Sequence, residues 1–338
     1  TLNYNTRSPH FEANDVGFEP EWDLHRVSLD LGYRQQRPFG AFQSAAAKMS
    51  ASGTVAWDGL LQDAWIGPGI NATTRGFRYH SFSTGWRPSG TYTARETADG
   101  ARYERADWLR ADGSVASDSR AWLRGSASAG GGLSPRRSTW GLWTSLALAV
   151  RPSSPLEISA SVDADMTEDQ LRVHHCDDAG GGTCSRASTS RDYVLADLDH
   201  GSLSLTGRVG WALSTTLSLQ GWAQLFAARG RWARYRAITG QIGPEPFLDR
   251  AELEPTDYAG DDDGDGIKDD DFAWSALHAN LVLRWELRPG AALTAVYTRA
   301  QEADRVLAGE RPQLGYAGLA HAATEEIFLL KLGWYWAR

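Results

Sequence analysis

Cysteine, lysine and long apolar runs are all scarce in this chain, and each shortage closes a class of fold. Two cysteines in 338 residues cannot staple a fold together. No stretch approaches the roughly 20 consecutive apolar residues of a membrane-spanning helix, so a helical membrane protein is excluded. Lysine occurs only at Lys48, Lys268 and Lys331, the other basic side chains being arginine, a bias without functional weight. With a formal net charge of -8 and a pI of about 5.5, no nucleic-acid partner is expected. The start, Thr1-Leu2-Asn3-Tyr4, lacks the methionine, charged segment and apolar core of a signal peptide, and reads as a mature chain or a fragment. What abounds is aromatic. Fifteen tryptophans and 11% aromatic residues exclude a disordered chain, yet the mean hydropathy is -0.42. Something holds fifteen large rings without a long apolar run.

Period-two alternation supplies the answer, because successive strand residues point to opposite faces. Leu156, Ile158, Ala160, Val162 and Ala164 form one row, with Glu157, Ser159, Ser161, Asp163 and Asp165 on the other face. Leu203, Leu205, Val209 and Trp211 alternate with Ser202, Ser204, Thr206 and Arg208. Leu281, Leu283, Trp285 and Leu287 alternate with Val282, Arg284, Glu286 and Arg288, and Phe328, Leu330, Leu332, Trp334 and Trp336 share the last row. No helical period of comparable length occurs.

Tight turns are expected at Arg87-Pro88-Ser89-Gly90, Arg151-Pro152-Ser153-Ser154, Ser214-Thr215-Thr216 and Arg288-Pro289-Gly290. Long polar loops are expected near 126–138, 166–191, 230–273 and 302–324. Short turns on one side and long loops on the other characterise a transmembrane β-barrel, with turns periplasmic and loops extracellular. The expected fold is therefore an all-β, antiparallel transmembrane β-barrel of about 14–16 strands, filling residues 1–338 as one domain. A soluble sandwich or propeller is the alternative. Tryptophan favours the barrel: Trp57, Trp86, Trp211, Trp285, Trp334 and Trp336 fall near strand ends, where interfacial girdles lie. Counting back from Trp336 gives about fifteen strands, an odd number where single-chain bacterial barrels are even. Either residues 2–7 are irregular and not a strand, or strands upstream of Thr1 are missing, and the second is the preferred expectation.

Several segments resemble a large bacterial domain family of unknown function. Arg7–Phe18 (RSPHFEANDVGF) is similar to its "SPGFEVNDLGF"-type motif. Leu217–Arg231 (LSLQGWAQLFAARGR), Ala279–Gly290 (ANLVLRWELRPG) and Leu329–Arg338 (LLKLGWYWAR) resemble further motifs of that family. Leu225 departs from it by standing where proline is usual, and so does the acidic insertion around Asp261. The resemblance implies a Gram-negative outer-membrane barrel that follows a sugar-binding module like the family-nine carbohydrate-binding modules. This chain corresponds to the later part. The family brings no catalytic residues.

The sharpest chemical motif is Asp261-Asp262-Asp263-Gly264-Asp265-Gly266-Ile267-Lys268-Asp269. Asp261, Asp263, Asp265 and Asp269 occupy positions 1, 3, 5 and 9 of a calcium loop, with a backbone carbonyl from Ile267 and Gly266 for the sharp turn. Phe272 stands where the bidentate glutamate belongs, so a solvated acidic loop tip is the competing reading. Calcium here would order the 230–273 loop, not catalyse. Cys176 and Cys184 enclose a glycine-rich stretch and are expected to form a disulfide pinning an outer loop. His174 and His175 adjoin them and, pointing to opposite faces, make a poor metal pair.

No Gly-x-Ser-x-Gly elbow and no His-Glu-x-x-His motif occurs. Asp197, Asp199, His200 and Ser202 share a strand, but the aspartates face away from the histidine and serine. No enzymatic activity and no cofactor beyond calcium is expected. Asn71-Ala72-Thr73 fits a glycosylation acceptor that a bacterial barrel does not normally use. Arg208, Arg284, Glu157, Glu286, Asp163 and Asp165 are expected to project into the lumen, as a salt-bridge ladder or as ion-selectivity groups. The functional expectation is a porin-like channel or passive conduit for small polar solutes. The rival is a non-conducting anchor or assembly component presenting loops to proteins. Expected partners are outer-membrane lipid, barrel-assembly machinery, and upstream strands, other subunits or a sugar-binding module.

Overall fold

The computed structural model describes residues 1–8, 24–93, 101–178, 191–238, 247–248, 254–256, 271–304 and 312–334. Its strands, in chain order, begin with β1 (Leu2–Arg7), β2 (Leu24–Gln35), β3 (Phe42–Val55), β4 (Leu61–Thr74) and β5 (Tyr79–Arg87). Two short strands follow, β6 (Tyr92–Thr93) and β7 (Arg102–Glu104), and then β8 (Trp108–Ala116), β9 (Leu123–Leu133) and β10 (Trp140–Ser153). Next are β11 (Leu156–Asp178), β12 (Arg191–Ala212) and β13 (Leu217–Ile238), and the short β14 (Phe247–Leu248) and β15 (Glu254–Pro255). The last are β16 (Phe272–Arg288), β17 (Ala291–Asp304) and β18 (Thr324–Trp334). Among the described residues the helical content is one 3-10 segment, Ala317–His321, and no helix is long and apolar enough to cross a membrane.

One antiparallel path runs β1-β2-β3-β4-β5-β8-β9-β10-β11-β12-β13-β16-β17-β18, and β15 beside β13 makes a fifteen-stranded sheet. The path itself thus holds fourteen strands, an even number. β6, β7 and β14 form a second, three-stranded sheet. β1 and β18 end the path and do not pair with each other among the described residues.

The alternation seen in sequence becomes a band. Val150, Ile158, Val209, Gly221, Leu281, Tyr297 and Phe328 sit opposite one another on seven consecutive strands. Register holds them on one face, since a slip of one residue would flip every side chain. Along β10 that face carries Leu142, Leu146 and Leu148, which are 53%, 50% and 61% exposed. From Trp140 to Val150 is about the 9–11 residues a tilted strand needs to cross a bilayer. A soluble monomer rarely exposes apolar patches beyond a few hundred Å². A face that is exposed and apolar on strand after strand is a lipid face, and the fold is of the transmembrane β-barrel type. Trp211, Trp285 and Trp334 cluster where β12, β16 and β18 meet the short turns, and Trp86 marks the opposite end of β5. Trp336 lies outside the described residues.

Turns at one end are short: β10 to β11, β12 to β13 and β16 to β17 are joined by two, four and two residues, with Gly290 at φ 84° in the last. The expected turns at 151–154, 214–216 and 288–290 all lie there. Arg87-Pro88-Ser89-Gly90 does not. It leaves β5 at the end of the long connections and opens the β6–β7 insertion, so counting it as a short hairpin turn shifts strand parity.

The loop expected at 126–138 is also corrected, because residues 123–133 are β9, paired in register with both β8 and β10. The sequence Ser-Ala-Ser-Ala-Gly-Gly-Gly has no bulk of its own, but the neighbouring strands supply it. A Cβ on Gly130 would lie 2.6 Å from Trp143 Cε2, and one on Gly132 would lie 2.5 Å from Trp108 Cζ2. The glycines leave room for two indoles. Likewise 166–178 and 230–238, expected as loop, continue β11 and β13 beyond the band. There Asp169 and Arg234 adopt φ of 56° and 55°, and register shifts occur between Thr167 and Gln170 and between Leu195 and Asp197. Such bulges change the phase of alternation and hide the strand from a period-two reading. The buried core sits in these extensions. Ala101, Tyr103, Leu171, Tyr193 and Leu195 form one cluster, and Val194, Ala196 and Tyr235 another.

Candidate functional site

The face opposite the lipid band is polar and is bridged strand to strand. Ser50 Oγ donates to Asp30 at 2.7 Å, Ser81 and Ser114 hydroxyls meet at 2.7 Å, and Gln224 Nε2 donates to Ser204 at 3.0 Å. Asn280 Nδ2 reaches Thr298 Oγ1 at 3.0 Å. Around Trp143 the contacts are denser: its Nε1 donates to Asp112 Oδ1 at 2.8 Å, and Arg110 pairs with Asp112 at 2.6 Å while lying 4.7 Å above the indole.

All six residues expected on this face are there. Asp163, Asp165 and Glu157 stand in β11 opposite Ser204, Ser202 and Gly210, with Arg208 opposite Ser159. Arg284 and Glu286 lie in β16 opposite Thr294 and Ala292. Sequence reasoning missed the partners. Glu157 takes Arg124 from β9 on Oε1 at 2.8 Å and Arg151 on Oε2, with Arg151 Nε at 3.1 Å. Arg124 and Glu157 sit two strands apart with alanines between, and only register reveals that pairing.

Ser202, His200 and Asp165 meet on this face, but not as a nucleophile and its base. Ser202 Oγ donates to Asp165, and His200 Nε2 lies 3.6 Å from the same carboxylate. The serine therefore touches no imidazole, the contact that hydrolytic activation requires. On the same strand, Asp199 accepts the Asp169 backbone N–H at 2.9 Å. Asp197, 4% exposed, accepts Arg234 Nε at 2.8 Å and Arg236 Nη2 at 2.7 Å. Asp169 holds the other side of the Arg234 guanidinium. These aspartates lock the bulged extensions of β11–β13.

Between β5 and β8, the described residues 88–93 and 101–107 form a strap. Arg102 pairs with Asp58 in the β3–β4 turn, and Arg105 Nη1 lies 3.5 Å from Asp63 of β4. Glu104 accepts Arg137 at 2.8 Å and the Gly90 N–H at 3.0 Å. Tyr103 is buried against Leu171, Tyr193 and Leu195. Adjacent residues thus touch β3–β4 on one side and β11–β12 on the other, strands well separated along the path. The sheet curls around its strap. At Asp58, burial opposes ionisation, but the Arg102 guanidinium and the Leu60 N–H outweigh it and hold the carboxyl below its ordinary 3.8.

A recess of about 410 Å³ opens on the polar face near the short turns. Ser126, Ala147, Ala149, Ser159, Ser161 and Thr206 line it, with Arg124, Glu157 and Arg208 at its margins. The expected calcium ligands Asp261, Asp263, Asp265, Ile267 and Asp269 lie outside the described residues, as does Cys184. Cys176 packs against the cluster around Tyr103. No group of three or more His, Cys, Asp and Glu is placed to hold a metal among the described residues.

A family described as "Domain of unknown function (DUF5916)" matches residues 1–335. The chain belongs to this family. The DUF5916 match takes in every described strand from β1 to β18, so lipid band, strap and recess all fall within the domain. No curated protein sequence matches. Among solved structures, a NanC porin in a rhombohedral crystal form is similar at 10% identity, over 91% of this chain and 99% of that one. Its TM-score of 0.24 is too low to carry an argument about fold or function.

Proposed function

We propose that this DUF5916 domain is an integral outer-membrane β-barrel serving as a passive conduit for small polar solutes. The observation carrying this reading is the division of one sheet into an exposed apolar face and a polar, recessed face, the pattern of a lipid-facing wall around an aqueous lumen. In that setting the short turns, with the last strand, are periplasmic and the strap and long connections extracellular. The partners are lipid and the assembly machinery, with further strands or a second subunit at the edges of β1 and β18. A sugar-binding module is implied by family resemblance alone. No catalytic role is assigned. Purified protein in a planar bilayer should give discrete, voltage-independent current steps; silence at every voltage would sink the conduit.

The strap favours a second reading, because ion pairs from Arg102, Arg105 and Glu104 cross the end where solute would enter. Held shut, the protein would be a non-conducting anchor that presents its loops. Current from a variant carrying Arg102→Ala and Arg105→Ala, where the parent is silent, would identify a closed conduit. The acidic segment at 261–269 supports a calcium-ordered outer loop, and Cys176 with Cys184 a disulfide in the same outer region. A calcium titration without heat, or two thiols titrating in unreduced protein, would remove these two assignments.

A further inference from the structure

Of the charges that line the recess, Arg208 is, among the described residues, the one without a partner. Glu157 holds Arg124 on Oε1 and Arg151 on Oε2. Arg208, on the strand beside Glu157, is exposed and makes no ion pair or hydrogen bond among the described residues. The charged side chains lining the recess are thus Arg124, Glu157 and Arg208, and Glu157 also holds Arg151, so positive charge is in excess there although the chain's net charge is -8.

Register gives this excess a shape. Arg124 pairs with Ala149, Ala149 with Ser159, and Ser159 with Arg208. The two arginines close the ends of one line across four strands, about 14 Å apart at three interstrand spacings. Between them the side chains are small, which leaves the recess, and its floor is studded with hydroxyls from Ser126, Ser159, Ser161 and Thr206. Hydroxyls both donate and accept, so they suit a ligand with hydroxyls of its own. A guanidinium with a free edge suits a carboxylate, to which it gives paired, charge-assisted hydrogen bonds.

We propose that the recess is a binding site for hydroxylated organic carboxylates, the carboxylate seated on Arg208 and the hydroxyls on the Ser126–Ser159–Ser161–Thr206 floor. The assignment deepens the conduit reading and relies on it for the solute's route in. The site selects by charge first and by hydroxyl count second. A neutral sugar forgoes the arginine, and chloride forgoes the floor.

Calorimetry on the detergent-solubilised full chain tests it, with glucuronate as probe and glucose and chloride as references. Glucuronate should bind at least about tenfold more tightly than glucose. Arg208→Ala should erase that margin and leave glucose unaffected, whereas Arg208→Lys should keep part of it. If Arg208→Ala does not fold, Ser159→Phe fills the floor with Arg208 intact and should weaken glucuronate by a similar factor. Equal affinity for glucuronate and glucose, displacement of glucuronate by equimolar chloride, or unchanged binding in both variants overturns the proposal. Bilayer recordings separate it from the conduit reading. Binding without current refutes the conduit and keeps the site, while current without glucuronate binding refutes the site and keeps the conduit.

Discussion

Substituting alanine for Gly130 probes the most densely packed point of the polar face. The new methyl would lie 2.6 Å from both Trp143 Cε2 and Asp112 Oδ1. Backbone pairing to β8 and β10 fixes Gly130 on both sides, so the indole has to swing away. That movement breaks the 2.8 Å bond from Trp143 Nε1 to Asp112 and lifts the ring from under Arg110. Overpacking costs about 1–3 kcal/mol and a hydrogen bond to a charged group contributes about 1.5–3 kcal/mol, while removing a glycine from the unfolded chain returns about 0.4–1 kcal/mol. The net expectation is a loss of about 2–4 kcal/mol. Gly207 is the control: nothing lies within 4 Å of its Cβ position, so Gly207→Ala should be neutral or slightly stabilising. Urea unfolding in lipid vesicles, followed by tryptophan fluorescence, reads both. The double variant Gly130→Ala/Trp143→Ala should fall short of additivity, because the second change removes what the first collides with. Equal unfolding midpoints for Gly130→Ala and Gly207→Ala would refute β9 as a strand seated beneath these indoles.

Two further expectations follow from the faces and the strap. Leu148→Arg, at 61% exposure in the lipid band, should destabilise the vesicle-inserted protein by about 2–4 kcal/mol, while Ser145→Arg on the opposite face of β10 should cost far less; equal losses would contradict the lipid assignment. Asp58, with its carboxyl held below 3.8 in the fold, contributes stability that is present above that value and is lost as pH falls through the lower folded one. Pepsin cleavage near Tyr103 should therefore stay slow until the pH drops below 3.8, and Asp58→Asn should lack that step; release of the strap already at about pH 5 would argue against the Arg102 pairing.

The strands legible in the sequence are those whose two faces differ chemically. Leu156–Ala164, Leu203–Trp211 and Leu281–Leu287 alternate because one side meets lipid and the other water, and all three rows reappear in register. β9 was illegible because its bulk belongs to Trp108 and Trp143, residues on its neighbours. The outer parts of β11–β13 were illegible for another reason. Beyond the band both faces are covered, as at Tyr193 to Asp197, so the chemical contrast vanishes, and the bulges at Asp169 and Arg234 reverse the phase. The turn at Pro88 has hairpin chemistry, and only the strand pairings reveal which end it occupies. On the polar face, positions were readable and partners were not: Glu157 declares its orientation through alternation, but its two arginines are a matter of register. Arg208 matters for the group it lacks, which no motif records.

The three longest strands have 23, 22 and 22 residues and are consecutive on the path. At about 3.3 Å per residue each spans some 70 Å of chain, more than twice a hydrocarbon core of about 30 Å. Neighbouring β9 and β10 have 11 and 14 residues. Among the described strands the edge is therefore uneven, rising highest over β11–β13. In the outer-membrane orientation proposed above, a large ligand coming from outside would meet the extensions of β11–β13 before the described ends of β9 and β10.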